Sequence, residues 1–245
     1  MDGLQKQILL RSVLPEDPKE ILGTARQLEE VLMKYNCAIR EVKTKLEVLN
    51  DEFSIQNQRN PIEFIKTRVK KPASIVGKLM RKGFDVSLKS VHDNLNDVAG
   101  IRVICSFVDD IYAVADMLTK QDDVTLIEVK DYIKNPKPNG YRSLHLIIEI
   151  PVFFSNTKDN LRVEVQIRTI AMDFWASLEH KLYYKQGKVV PRQVLIGLNQ
   201  CADLAALLDE KMQDIRNKMK PYLSEEERAV QAAKAEDEKC MNCLE

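Results

Sequence analysis

Two carboxylates, one basic strip and one tyrosine behind a turn carry most of the chemistry that this chain can do. Asp97 stands just before Gly100 and the apolar run "GIRVICSFV", and Glu164 sits in the alternating run "LRVEVQIR". An acid at the entry to a buried strand is a natural Mg²⁺ ligand when a second carboxylate faces it, and Glu164 is the candidate partner. Each acid also has an ordinary use: Asp97 suits a turn cap, and Glu164 an ion pair with Arg102 or Arg168. Residues 66–82, "KTRVKKPASIVGKLMRK", hold seven Lys or Arg and no acid. Arg68 and Lys70 alternate along a strand. Ser74 and Lys78, spaced i, i+4, line one face of the helix that Pro72 opens. The start of that helix adds free N–H groups and the positive end of a dipole. The set suits a polyphosphate, and it equally suits a solvated basic face. It is not a P-loop, because Pro72 stands where the first glycine would be and Leu79 replaces the hydroxyl that would touch Mg²⁺. In "PKPNGYRSLH", residues 136–145, Tyr141 directly follows an Asn-Gly step amid Lys137, Asn139, Arg142 and His145. A flat ring with cations and hydrogen-bond donors around it suits a nucleotide.

These groups need elements to hold them. In "LRVEVQIR" the two-residue period puts Leu161, Val163, Val165 and Ile167 on one face and Arg162, Glu164, Gln166 and Arg168 on the other. In "GYRSLHLIIEI" Leu144, Leu146, Ile148 and Ile150 share the apolar face, with Tyr141, Ser143 and His145 opposite. Paired, the two strands would bury one sheet face and offer Tyr, His, Glu, Gln and Arg on the other, a pattern that plain antiparallel sheets with one solvated face also show. Further strands are expected at "IEFIKTRV", "GIRVICSFV" and "VTLIEVKDYI", with a loop around 154–160. A 3.6-residue apolar stripe from Ile21 to Leu49 predicts a helix over about 18–52. Other helices are expected from Pro72 through Met80, ended by Gly83, over "IYAVADMLTK" with Asp109 or Asp110 as cap, and over 168–185 and 192–219. The last 25 or so residues are charged and suit either helix or a frayed end.

The chain has 245 residues, 44% hydrophobic and 30% charged, enough for one sizeable core with helical extensions. With 37 basic and 37 acidic residues, bulk charge does not call for a polyanionic partner, so anion binding must come from local clustering. No apolar run suggests a leader peptide or a membrane span. Five scattered cysteines, at 37, 105, 201, 240 and 243, do not make a disulfide framework and fit the cytoplasm. The lone pair Cys240 and Cys243 lacks the second pair that a zinc site needs. The expected division is an N-terminal helical arm over 1–58, a mixed α/β core over 59–186 and a C-terminal helical extension and tail over 187–245. The apolar stripes on the arms suit packing on the core or oligomerisation.

Four segments in this order, "RVKKPASIVGK", "DVAGIRVICSFVDDIY", "YIKNPKPNGYRSLH" and "VEVQIRTIAMDFWASLEHKLYYK", closely resemble the synthetase domain of the RelA/SpoT alarmone enzymes. The resemblance covers about residues 60–186. The length and flanking helices resemble the stand-alone small alarmone synthetases, with no room for a hydrolase domain upstream. The resemblance implies an α+β fold, a nucleotidyltransferase-like mixed sheet flanked by helices. It implies Mg²⁺-dependent transfer of pyrophosphate from ATP to the ribose 3′-OH of GDP or GTP, giving ppGpp or pppGpp and AMP.

Carried over residue by residue, the resemblance assigns ATP to Arg68, Lys70, Ser74 and Lys78, with Arg68 and Arg102 stacking on adenine. Tyr141 matches the tyrosine that stacks on the acceptor's guanine. Lys130, Lys137, Asn139 and His145 match positions that contact the acceptor, and Gln166 shares their predicted face. Asp97 and Glu164 match the two acids of the catalytic centre as metal ligands, Glu164 serving either as ligand or as base. Glu179 matches an "EH" motif without a defined role. A homotetramer through the terminal helices is expected. In one subgroup, which alarmone activates, the first strand reads F-x-T-G-R and an asparagine follows the last one. Here Lys66 and Thr67 replace Thr and Gly, Phe64 is kept, and Asp173 takes the asparagine's place, where an acid would repel alarmone phosphates. The subgroup without alarmone activation is therefore expected. Two rival readings remain: a toxin of the same fold that pyrophosphorylates adenine nucleotides or tRNA, and a non-catalytic oligomer that binds single-stranded RNA through the basic strip and Tyr141.

Overall fold

The alternation in residues 158–169 becomes the central strand of a five-stranded sheet. A computed structural model describes the backbone of residues 18–57, 59–184 and 191–241, and the side chains of 26–56, 59–182, 191–219 and 222. In chain order the elements are α1 (Pro18–Asn57), β1 (Ile62–Val69), α2 (Pro72–Arg81), α3 (Leu88–Asn94), β2 (Ala99–Cys105), α4 (Val108–Thr119), β3 (Thr125–Asp131), β4 (Leu144–Phe153), β5 (Lys158–Thr169), α5 (Ile170–Tyr184) and α6 (Arg192–Met241). The sheet order is β1-β2-β5-β4-β3, and β2 pairs parallel with β5 while every other pair is antiparallel. This is a mixed α+β sheet flanked by helices.

One face of the sheet is the core. Ile101 and Val103 of β2, Val163, Val165 and Ile167 of β5, and Leu144, Leu146 and Ile148 of β4 are buried with Tyr35, Ala38, Ile39, Val42, Leu46 and Leu49 of α1. The α1 residues recur at three- and four-residue steps, so a single helical stripe lies on the sheet. Ile111, Val114 and Leu118 of α4 join the same cluster. Fully burying each such aliphatic side chain contributes roughly 1.5–3 kcal/mol before chain entropy is charged against it.

Several elements differ from expectation. Residues 154–160 are not an open loop: β4 runs on to Phe153, β5 starts at Lys158, and a tight turn closes with the Phe154 N–H donating to the Thr157 carbonyl at 2.8 Å. Neither Asp109 nor Asp110 caps α4. Phe107 holds that position without a side-chain bond, because β2 ends at Cys105 and the helix begins at Val108. Asp110 lies inside the first turn, 1% exposed, accepting from Arg59 at 2.9 and 2.6 Å and from Arg216 of α6 at 3.2 Å. The seven-residue α3 was not foreseen; Ser87 caps it by accepting the Ser90 N–H at 3.1 Å. Helix α6 continues as helix to Met241, while the side chains of Cys240 and Cys243 lie outside the described residues. Cys37, Cys105 and Cys201 are free thiols. Among the described residues no helix is long and apolar enough to cross a membrane.

Candidate active site

Register gathers the strand-borne candidates on the face of the sheet opposite the core. One transverse row runs Lys66, Arg102, Gln166, His145, Lys130 across β1, β2, β5, β4 and β3. The next row runs Arg68, Gly100, Glu164. Gly100 therefore leaves the space between the Arg68 and Glu164 side chains clear. A cavity of about 220 Å³ opens there, with Arg68, Gly100, Arg102, Glu164 and Gln166 in its lining. A roomier cavity of about 650 Å³ lies among α1, α3 and the β4–β5 hairpin. It contains none of the candidates, and its Lys34 is already paired with Asp159 at 2.8 Å, so volume does not mark the site.

Asp97 closes the basic end. It precedes β2, where the Lys70 N–H donates to the Val98 carbonyl at 2.8 Å and draws the end of β1 alongside. One Asp97 oxygen, Oδ2, accepts from Lys70 at 2.6 Å and pairs with Lys78 at 2.7 Å. Burial alone would push this carboxyl up; the two ammonium groups outweigh it and hold Asp97 below the usual carboxylate range. The other oxygen, Oδ1, is buried without a hydrogen-bond partner. Helix α2 starts at Pro72 as expected, with no side-chain cap and no acid in its first turn, so its positive end is uncompensated locally. Ser74 is exposed in that turn.

Glu164 is held differently. Its Oε2 accepts from Gln166 Nε2 at 2.9 Å and its Oε1 faces His145 Nδ1 at 3.4 Å. Neither Arg102 nor Arg168 is paired with it. Burial pushes the Glu164 carboxyl up and the charge of Asp97 adds to that, yet His145 and Gln166 prevail and it too lies below the usual range. Two ionised carboxylates that feel one another, one with an orphaned buried oxygen, fit a divalent cation. No cluster of three or more His, Cys, Asp or Glu able to hold a metal occurs among the described residues. Further oxygens must therefore come from phosphate and water.

The other end is an aromatic cluster. Tyr141 packs edge-on to Tyr132 and to His145, with centroids 6.0 and 5.8 Å away, and its hydroxyl lies 2.8 Å from His145 Nε2. Lys137 Nζ sits over both tyrosine rings, at 4.5 and 4.7 Å. The turn that presents Tyr141 is fixed from inside by Asn139, whose Oδ1 accepts the Tyr141 N–H at 3.3 Å and whose Nδ2 donates to Glu179 at 3.3 Å. It is fixed from outside by α6, where Arg142 donates to the Ala202 carbonyl at 3.2 Å. Gly140 has φ +83°, and a Cβ there would stand 2.5 Å from that of Ala202. Lys130 lies at the far end of the row, paired with Glu128 at 2.9 Å.

Tyr132 and Arg168 belong to this site and were not among the candidates. Arg168 closes the polar alternation of β5, which was the available signal. It is 3% exposed and donates to the Tyr141 hydroxyl, to Gln166 Oε1 at 2.9 Å, to Ser143 Oγ at 3.3 Å and to Asp173 Oδ1 at 3.2 Å. Asp173 is 6% exposed and also meets Arg102 at 3.1 Å and Lys66 at 3.7 Å. The acid that was expected to repel phosphates is thus enclosed by three cations, and charge repulsion loses its premise.

A mixed sheet carrying paired acids between a cationic pocket and an aromatic one defines a nucleotidyltransferase-like protein. Residues 67–189 match the region found in RelA / SpoT proteins. The chain is 49% identical over 188 residues to the GTP pyrophosphokinase YwaC of Bacillus subtilis (strain 168), covering 77% of this chain and 90% of that protein. Among solved structures it is similar to the small alarmone synthetase 2 from Bacillus subtilis (48% identity, TM-score 0.71, 78% of this chain and 98% of that one). It is also similar to the small alarmone synthetase 1 from Bacillus subtilis bound to its product pppGpp (39%, TM-score 0.72, 79% and 98%). The chain belongs to the RelA/SpoT family.

Proposed function

We propose that the chain synthesises ppGpp and pppGpp, moving the β,γ-pyrophosphoryl group of ATP to the 3′-OH of GDP or GTP with release of AMP. The observation that carries this reading is the sheet face itself: Asp97 and Glu164, both ionised, stand between a cationic pocket and the Tyr141 cluster, in a chain 49% identical over 188 residues to a GTP pyrophosphokinase.

In this reading Arg68 and Arg102 hold adenine, and Lys70, Ser74 and Lys78 take phosphate oxygens. Tyr141 stacks on guanine, with Lys137, Asn139, His145, Lys130 and Gln166 forming the rest of the acceptor pocket. The 3′-oxygen attacks the β-phosphorus in line and its proton passes to solvent water, while the bond from that phosphorus to the α-phosphate bridging oxygen breaks and the electron pair leaves with AMP. Mg²⁺, held by Asp97 and Glu164 with phosphate oxygens, would neutralise charge developing on the transferred group. Glu164 is held below the usual carboxylate range, so it is a poor base at neutral pH and a good ligand and hydrogen-bond acceptor. Most of the acceleration then comes from position and electrostatics. Asp97→Ala or Glu164→Ala should cut AMP release by at least about 100-fold while circular dichroism stays unchanged. Near-normal turnover in either would remove the assignment.

The same proposal divides the chain into residues 1–58, 59–186 and 187–245, the middle piece supported by the family match to 67–189. It makes the protein a cytoplasmic homotetramer. What supports assembly is the apolar stripe left exposed on α5 and α6, with Ile170, Phe174, Leu178 and Leu182 on α5 and Leu204, Leu208, Ile215 and Met219 on α6. Sedimentation should then read four copies of the 28.2 kDa chain.

A further inference from the structure

The candidate donor and acceptor pockets meet at one oxygen atom. Asp173 Oδ1 accepts from Arg102 at 3.1 Å on the donor side and from Arg168 at 3.2 Å on the acceptor side. Arg168 passes the connection on, since the same guanidinium bonds the Tyr141 hydroxyl and lies with Cζ 5.0 Å from the Tyr141 ring centroid. Tyr141 in turn reaches His145, and His145 faces Glu164. An unbroken series of contacts therefore runs from the adenine-side arginine through Asp173 and Arg168 to the acceptor tyrosine and the catalytic carboxylate. Both members of the bridge are buried, at 3% and 6% exposure, so water does not screen it.

Two guanidinium groups placed this close repel one another. Burial and then the Arg168 charge pull the Arg102 proton affinity down, and Asp173 opposes them. Without the carboxylate the two arginines would separate, each taking its pocket wall with it. We propose that Asp173 and Arg168 are positioning residues that couple the two substrate pockets, so that filling one lowers the ordering cost of filling the other.

The physical reason is shared restraint. A ring laid on Arg102 fixes that guanidinium, which fixes the carboxylate oxygen, which fixes Arg168 and the Tyr141 ring. The second nucleotide then meets an already ordered pocket. Coupling of this kind is reciprocal: the factor by which the ATP analogue tightens acceptor binding must equal the factor by which acceptor tightens the analogue. Asp173 makes no hydrogen bond or ion pair to Tyr141, His145 or Glu164, so it acts through its two arginines.

This inference rests on the pocket assignments above, and the test separates the two. Calorimetry would give the dissociation constant of GDP alone and with saturating α,β-methylene-ATP, then the reverse pair, for the wild type, Asp173→Asn, Asp173→Glu and the double variant Arg168→Met with Asp173→Leu. The double variant removes both fully buried charges together and leaves only Arg102, 35% exposed, and Lys66, 60% exposed, to water, so it is the variant that keeps the fold if Asp173→Asn does not. Near-ultraviolet circular dichroism checks each variant. The wild type should show a coupling factor of about 5 or more in both directions. Asp173→Asn and the double variant should bring it to about one, with Asp173→Glu partly restoring it. A purely structural role would weaken both nucleotides equally and leave the factor unchanged. An unchanged factor in a folded variant, or a wild-type factor of one, would overturn the inference. Failure of the wild type to bind either nucleotide would instead remove the pocket assignments.

Discussion

Asp97 and Glu164 show how two acids of similar burial are kept ionised by different means. Asp97 is held by two lysines and Glu164 by a histidine and an amide, and each ends below its ordinary range despite burial. The sign of the pH effect follows. A carboxyl depressed in the folded state contributes stability above its unfolded value and loses it as pH falls through the folded one. The charged site should therefore persist well into acid. On account of these two groups kcat/KM should stay level from neutral pH down to about 5. A limb between pH 6 and 7 that disappears in Glu164→Gln would show that Glu164 is a raised base and not a ligand. The polar face of β5 was legible because side chains alternate strictly on a half-buried strand, and Glu164 and Gln166 fell where that period put them. The partners were not legible. Periodicity names a face and is silent about what crosses it, so the pairing of Arg168 with Asp173 needed the position of α5, and Tyr132 needed the fold of the turn.

Register and turn geometry decide how well the elements present those residues. The Lys66–Arg102–Gln166–His145–Lys130 row exists because parallel pairing of β2 with β5 sets Arg102 beside Gln166. Slipping β5 against its neighbours by one residue would send Glu164 and Gln166 into the core. The acceptor turn depends on α6, which lies beyond the family match, through Ala202 packed against Gly140. Gly140→Ala combines a left-handed backbone cost of about 1–2 kcal/mol with a collision against Ala202. It should raise the acceptor KM at least several-fold and leave the ATP KM nearly unchanged. Adding Ala202→Gly should recover part of the loss, because it relieves the collision and not the backbone strain. Equal increases in both KM values would mean that the turn serves both pockets. Long periodic elements such as α1 and β5 were visible in the sequence, whereas α3, with seven residues, is too short to show a period. The start of α4 was misplaced because its two acids looked like caps; one of them instead binds Arg59 and Arg216 in the interior.

At the scale of the whole molecule, one sheet separates two tasks. Its inner face is aliphatic and joins α1, α4 and the strands in a single cluster, and its outer face carries the polar rows beside a few apolar residues such as Ile104 and Ile147. The strands hold the candidate groups of the outer face, and α5 and α6 brace them through Asp173 and Ala202. Asp110 illustrates the link, tying α4 to Arg59 before β1 and to Arg216 on α6. Asp110→Ala would strand two cations around a buried position, and it should cost about 3–5 kcal/mol in denaturant titration. A loss below about 1 kcal/mol, the range of exposed pairs, would mean that α6 is not held there.

The reaction proposed for this chain is pyrophosphoryl transfer to a guanosine nucleotide. It is tested most directly by incubating the pure protein with Mg²⁺ and γ-labelled ATP, alone or with GDP, GTP or tRNA, and separating the products. Label should appear in guanosine tetra- or pentaphosphate, with AMP formed in equal amount. Label on adenine nucleotide or tRNA, or no transfer by the folded protein, would contradict it.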